Sequence, residues 1–269
     1  MIKNRLKRLW ADGVPTFNSW LTIPSAFSAE IMAEQGFDSL TLDLQHGVLH
    51  YDTAVPMLQA MRASGVVPLA RVPWREPGII MKMLDAGVYG VICPMVNSRA
   101  EAEEFVSYMR YPPMGTRSFG PTRAAISGGA GYAAEANGEV LAIAMIETAP
   151  AMRNLQEIVT TPGLDGVYIG PADLTLGITE GRLGPGFDRE EPEVVEAIQT
   201  ILAAAKGAGI RSGLHCGSPE YGAKAIGWGF NFVTVSGDGR YLAAGAGAAR
   251  ERIAGLTGRD GGKSREQSY

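Results

Sequence analysis

A (β/α)8 TIM barrel is the fold this sequence predicts, on three observations. The chain is 269 residues long, a typical length for one such barrel. Eight short β-rich runs alternate with helical patterns along it, and strand–helix alternation of that kind makes a parallel sheet whose simplest closure is a barrel. The runs are almost continuously apolar, as strands covered on both faces must be. A doubly wound open sheet is the structural alternative.

The elements follow in order. The N-terminal MIKNRLKRLW is basic, has no apolar core or small-residue cleavage site after it, and reads as a surface helix. The strands are expected at 15–22, 39–45, 67–72, 90–96, 140–147, 166–170, 210–216 and 231–236. Helical patterns run from Ser25 to Gln35, Tyr51 to Ser64, Glu76 to Ala86 and Ser98 to Arg110, then from Glu191 to Ala208, Ser218 to Gly227 and Gly239 to Ile253. Gly36, Gly65, Gly87 and Gly209 stand just past their ends, where a left-handed residue stops a helix. Two stretches, 111–139 and 175–190, exceed ordinary loop length and so invite a functional reading. The first begins on the far face and suits contacts between subunits; the second follows a strand's C-terminal end, where barrel active sites lie. Residues 1–257 make one barrel domain, and the polar tail 258–269 is expected to be disordered.

Composition removes several function classes. The formal net charge is −4, which leaves no basic footprint for nucleic acid. Apolar runs are broken by Gly, Pro or charge, so no membrane span is expected. Cys93 and Cys216 sit in no metal or redox spacing, which fits a reducing, cytoplasmic setting.

Strand ends are where barrel chemistry resides. Strand 2 ends in Asp43-Leu44-Gln45-His46-Gly47, strand 3 in Arg71, strand 5 in Glu147, strand 6 in Gly170-Pro171-Ala172-Asp173 and strand 7 in His215-Cys216. Glu147 and Asp173 are 26 residues apart, about one βα unit, which sets two carboxylates at one level on adjacent strands. Such a pair, with waters and substrate oxygens, suits Mg2+ or Mn2+, although both acids could instead be solvated helix caps. His46 is a candidate general base, against the ordinary structural role of a single histidine. Arg71 could neutralise an oxyanion, or simply pair with a carboxylate such as Asp43. The short Gly170–Asp173 turn can aim backbone N–H groups at a carboxylate, or be only a tight turn. None of the six lysines falls at a strand's C-terminal end, which disfavours a Schiff-base mechanism.

These residues, in this order, resemble the HpcH/HpaI family of metal-dependent pyruvate aldolases over about 15–250. The matching segments are GFDSLTLDLQHG, ARVPW, MLDAGVYGVICPMV, YPPMGTRSFG, MIET, GPADL and VTVSGD. The resemblance implies reversible cleavage of a 4-hydroxy-2-keto acid to pyruvate and an aldehyde, with a divalent cation (Mg2+, Mn2+ or Co2+). Glu147 and Asp173 match the metal ligands, His46 the base, Asp85 the acid that orients that histidine, and Arg71 the contact to the keto oxygen. The Gly170, Ala172 and Asp173 turn matches the pyruvate-carboxylate cradle, and Trp20 and Leu214 fall where the aldehyde pocket is shaped. Gln45 stands where the family often has glutamate, and Met145 where it often has a pyruvate-contacting glutamine. The family's hexamer, with an exchanged C-terminal helix, is implied for 242–256. The rivals are a citramalyl- or malyl-CoA lyase, a phosphate-binding isomerase using Ser236-Gly237-Asp238-Gly239, and a non-catalytic barrel.

Overall fold

The computed structural model describes residues 1–259. Eight parallel strands pair in chain order and close into a barrel: β1 (Thr16–Leu21), β2 (Ser39–Asp43), β3 (Val67–Arg71), β4 (Gly90–Cys93), β5 (Leu141–Ile146), β6 (Gly166–Ile169), β7 (Arg211–Cys216) and β8 (Phe232–Gly237). The closing pair sets Thr16 of β1 opposite Phe232 of β8, and the open-sheet alternative is thereby excluded. Each expected strand is present. The fourth stops at Cys93 rather than at 96, because Pro94 has no N–H for the ladder and Met95 turns to φ 57.

Thirteen α-helices are described: α1 (Arg5–Ala11), α2 (Ala26–Ala33), α3 (Tyr51–Ala60), α4 (Pro77–Ala86), α5 (Arg99–Met109), α6 (Thr122–Gly128), α7 (Tyr132–Glu139), α8 (Ala149–Arg153), α9 (Leu155–Val159), α10 (Pro171–Ile178), α11 (Pro192–Gly207), α12 (Pro219–Trp228) and α13 (Asp238–Thr257). Side chains of Ser25, Ser98, Thr148 and Ser218 cap the starts of α2, α5, α8 and α12 by accepting first-turn N–H groups. Proline opens α4, α8, α10, α11 and α12, where its missing N–H costs nothing.

Two apolar layers follow from strand alternation. Side chains such as Leu40, Leu42, Val91 and Leu214 point outward and meet the helices. Val67, Leu69, Ile92, Ile143, Met145, Tyr168 and Phe232 point inward and fill the barrel. The N-terminal segment is more than the expected surface helix. Leu6 and Trp10 of α1 are one turn apart, 0% and 4% exposed, and belong to that inner cluster. Helix α1 therefore closes the barrel's N-terminal end, with its charged residues turned away.

The stretch 111–139 is not a long open loop. It forms α6 and α7 around a small core of Tyr111, Ala124, Tyr132 and Ala136. The Gly128-Gly129 pair and the many small residues conceal that helical content in the sequence. Helix α13 has the opposite character: of its 20 residues only Asp238 and Ala254 are buried, and Leu242, Ile253 and Leu256 are more than 60% exposed. The structure neither places a second copy against α13 nor shows an exchange. Gly258, in the left-handed conformation, ends the helix. The rest of the tail expected to be disordered, 260–269, lies outside the described residues. Among the described residues no helix is long and apolar enough to cross a membrane.

Candidate active site

The C-terminal ends of the strands surround a cavity of about 350 Å3. Of the residues proposed from sequence, Trp20, His46, Arg71, Gly170, Ala172 and Asp173 line it. Glu147 lies just under this lining, directly after β5, 2% exposed.

Three features of its surroundings act on the Glu147 carboxyl group. Oε1 accepts the Met95 N–H at 2.9 Å, and Met95 reaches it through its left-handed φ of 57. Oε2 faces Gly170, where an added Cβ would stand 2.5 Å away, so glycine leaves the space that the carboxylate occupies. Burial, and then the charge of Asp173, push its pKa up to about 7 against the opposing pull of the Met95 N–H and Arg71. Asp173 sits in the first turn of α10 at the exposed rim, beside the N–H groups of Ala172 and of its own backbone, which have no intrahelical acceptor there.

Asp43, at the end of β2, is the centre of the opposite wall. Its carboxylate takes Nε and Nη2 of Arg71 at 2.9 and 2.7 Å. Oδ1 also accepts the backbone N–H groups of Gln45 and His46 at 3.1 and 3.2 Å. One acid thus fixes both the arginine and the turn that carries the histidine. The Arg71 guanidinium also lies 4.0 Å over the Trp20 ring. The structural reading of Arg71 as Asp43's partner and the functional one are therefore compatible, since the paired arginine still faces the cavity.

Two of the assigned residues, Asp85 and Leu214, do not line the cavity in this chain. Asp85 is at the C-terminal end of α4, towards the barrel's other face, where it pairs with Arg117 at 2.6 Å. Its pKa is raised by burial, against the pull of Arg117. It makes no contact with His46; Asp43 is the acid that reaches the His46 turn. Leu214 is fully buried in the outer layer against helices. Strand period 2 turns its neighbour His215 inward instead.

The sequence reading missed a wall of the cavity. Phe187 stacks on His215 at 4.6 Å, and the Arg240 guanidinium lies 4.8 Å over Phe187. Phe187 comes from the 175–190 stretch, whose first part is α10. The remainder is pinned where Asp188 accepts the Gly217 N–H at 2.7 Å. His215 Nδ1 stands 3.2 Å from the Tyr168 hydroxyl, which donates to Thr234. Burial, then the charges of Arg71 and Arg240, lower the His215 pKa to about 3, so this imidazole is neutral near pH 7. A histidine at a strand end and an aromatic in a mouth loop were the available signals.

Of the two departures, the Gln45 Oε1 is buried without a hydrogen-bond partner, and Met145 is an inner-barrel side chain lining the cavity floor. The turn after β8 is not laid out for phosphate. Asp238 itself accepts the N–H groups of Thr22, Ile23 and Gly239 at 2.8, 3.1 and 2.7 Å, which takes the Gly239 donor and sets a carboxylate where a phosphate would have to sit.

The two carboxylates suit a cation. The charge of Asp173 disfavours ionisation of Glu147, which lies deep in a low-dielectric setting with a single N–H donor, and a positive ion between them would relieve both penalties. Among the described residues no third His, Cys, Asp or Glu joins them, so the protein would supply two hard oxygen ligands and leave positions open.

The profile of the HpcH/HpaI aldolase/citrate lyase family matches residues 17–244. The chain is 42% identical over 251 residues to a hydroxypyruvate/pyruvate aldolase of Rhizorhabdus wittichii, covering 93% of this chain and 98% of that one. It is 33% identical over 237 residues to a 5-keto-4-deoxy-D-glucarate aldolase of Shigella dysenteriae, covering 87% and 91%. A solved HpcH/HpaI aldolase/citrate lyase family protein of Burkholderia cenocepacia superposes with a TM-score of 0.85 at 31% identity, covering 93% of this chain and 99% of the other.

Proposed function

The chain belongs to the HpcH/HpaI aldolase/citrate lyase family, and on that premise we propose that it is a divalent-metal-dependent pyruvate aldolase. It reversibly cleaves 4-hydroxy-2-keto acids to pyruvate and an aldehyde. The observation that carries this reading is the buried Glu147 carboxylate set against a second acid, Asp173, at one side of a cavity whose other side presents an arginine and a histidine. Among the described residues no lysine lines that cavity, so a Schiff base has no amine there to form on.

Glu147 and Asp173 would hold Mg2+, Mn2+ or Co2+. When bound, the ion polarises the oxygens of a 2-keto acid as a Lewis acid. The chain's own groups do the rest. The first-turn N–H groups of Ala172 and Asp173 receive the substrate carboxylate, and Gly170 keeps the approach clear. Arg71, locked by Asp43 and the Trp20 face, presents its free edge to the keto oxygen, where negative charge develops. His46 takes a proton from the pyruvate methyl carbon in the synthetic direction and returns it in cleavage. Asp43 acts as its positioning residue. Trp20, Phe187 and neutral His215 shape the space for the aldehyde. The cavity volume of about 350 Å3 suits a small keto acid. We further propose that the chain assembles as a hexamer, with α13 covered by a neighbouring copy, in a cytoplasmic setting.

Hydrogen–deuterium exchange at the pyruvate methyl, followed by NMR, tests metal, substrate and base together. Exchange should stop in chelator, resume on adding Mg2+ or Mn2+, and vanish in Glu147→Ala and His46→Ala. Near-normal exchange in Glu147→Ala would refute the metal assignment, and full exchange in His46→Ala would refute the base.

A further inference from the structure

A second cavity, of about 270 Å3, lies at the barrel's opposite end between α1, the turn entering β3, and α6. Five basic side chains line it and no acidic one does. Lys3 is paired with Glu135 and Glu139, and Arg5 with Asp38. The other three, Arg8, Arg62 and Arg123, form no ion pair among the described residues. Arg62 and Arg123 are tied only to backbone carbonyls, those of Ile126 and Ala86. Both also line an adjoining cavity of about 250 Å3, so this pair of like charges stands between two openings. The Arg123 pKa is lowered, by burial first and by the charge of Arg62 second.

A second feature points to the same spot. Ser127 lines both cavities, and its Oγ is buried with no hydrogen-bond partner. A Cβ at Gly87 would stand 2.6 Å from that oxygen and 3.0 Å from Arg123 Nη1. Gly87 thus leaves the hydroxyl and the guanidinium close together. Two guanidinium groups without a counter-charge and a hydroxyl without a partner are jointly completed by one oxyanion. The adjacent wall is apolar, built from Leu58, Met61, Val66 and Pro68.

We propose that this cavity binds a small organic anion. Arg62, Arg123 and the Ser127 hydroxyl hold its phosphate or carboxylate group, Arg8 of α1 adds its positive charge to the same cavity, and its apolar body rests on Leu58 and Met61. The site is separate from the catalytic mouth and does not depend on the aldolase reading.

Calorimetry on the full chain with phenyl phosphate, benzoate and neutral phenol tests this and separates the two anion types. Phenyl phosphate, benzoate or both should bind saturably with a Kd below about 1 mM, weakening with salt, and phenol should not bind. Arg62→Gln and Ser127→Ala should each weaken binding about tenfold, whereas Arg71→Met should bind as the wild type does. Arg8→Gln, a change at an exposed side chain, provides a second reading if Arg62→Gln fails to fold, and should also weaken binding. The proposal is overturned if neither anion saturates by about 10 mM. Unchanged affinity in the folded Arg62→Gln or Arg8→Gln variant overturns it too, as does loss of binding in Arg71→Met, which would put the probe in the catalytic cavity.

Discussion

Glu147 and Gly170 bear on one another more tightly than their sequence separation suggests. The Glu147 carboxyl keeps a proton up to about pH 7 because burial, and then Asp173, penalise its charge. Between about pH 4.5 and 7 the folded chain therefore binds a proton that the unfolded chain has released. Stability without a cation should fall as pH rises through that window, by about 3 kcal/mol in all. Urea unfolding in chelator at pH 5 and pH 8 measures this, and Glu147→Gln should remove the difference. Added Mg2+ should raise stability more at pH 8 than at pH 5, since it binds the ionised form. Gly170→Ala would drive a methyl to 2.5 Å from Oε2 and 2.9 Å from Met145 Cε. It should lower kcat about a hundredfold through displacement of the carboxylate, measurable as the rate of methyl-proton exchange. Both acids were legible from sequence because each stands just past the C-terminal end of an apolar strand, where barrel active sites gather. The parity of a strand was not: Leu214 and His215 are neighbours, and only the register decided that the histidine faces inward. Asp85 was assigned through resemblance alone, and no spacing rule could show that its carboxylate meets Arg117 instead.

At the scale of elements, the eight strands were legible because each is short, apolar and bounded by turn residues. The helices were legible where Ser caps or Gly stops marked them. Helices α6 and α7 were not, since their apolar faces are only a few residues wide and close on each other as a satellite of the main core. Helix α1 was seen as a helix, but its burial was hidden by the charges around Leu6 and Trp10. Leu6→Ala should cost about 2–5 kcal/mol of unfolding free energy, read by urea denaturation, because the cavity opens at a fully buried position. The mouth loop is fastened next to Phe187 by Asp188 and farther on by the Arg189 carbonyl, which accepts the Tyr221 hydroxyl at 2.7 Å. Asp188→Ala removes the acceptor for the Gly217 N–H and loosens the stacking of Phe187 on His215. KM for the keto acid should rise about tenfold with a smaller change in kcat, as expected when a positioning wall is lost.

For the whole molecule, α13 is the element that a single barrel leaves unexplained. Leu242 and Leu256 are exposed by 66% and 72% on a helix that barely touches its own barrel. The chain should sediment as an oligomer, and Leu242→Glu with Leu256→Glu should shift it to smaller species; a wild-type monomer in analytical ultracentrifugation would remove the idea. The plug formed by Leu6 and Trp10 has a different consequence, kinetic in kind. With side chains filling the barrel above it, the cavity has a single doorway, so reactants and products must queue. With the keto-acid head seated at the Glu147 side and the aldehyde nearer the rim, the aldehyde must leave first and pyruvate last. Pyruvate should then inhibit cleavage competitively and the aldehyde non-competitively, a pattern that random exit would not give.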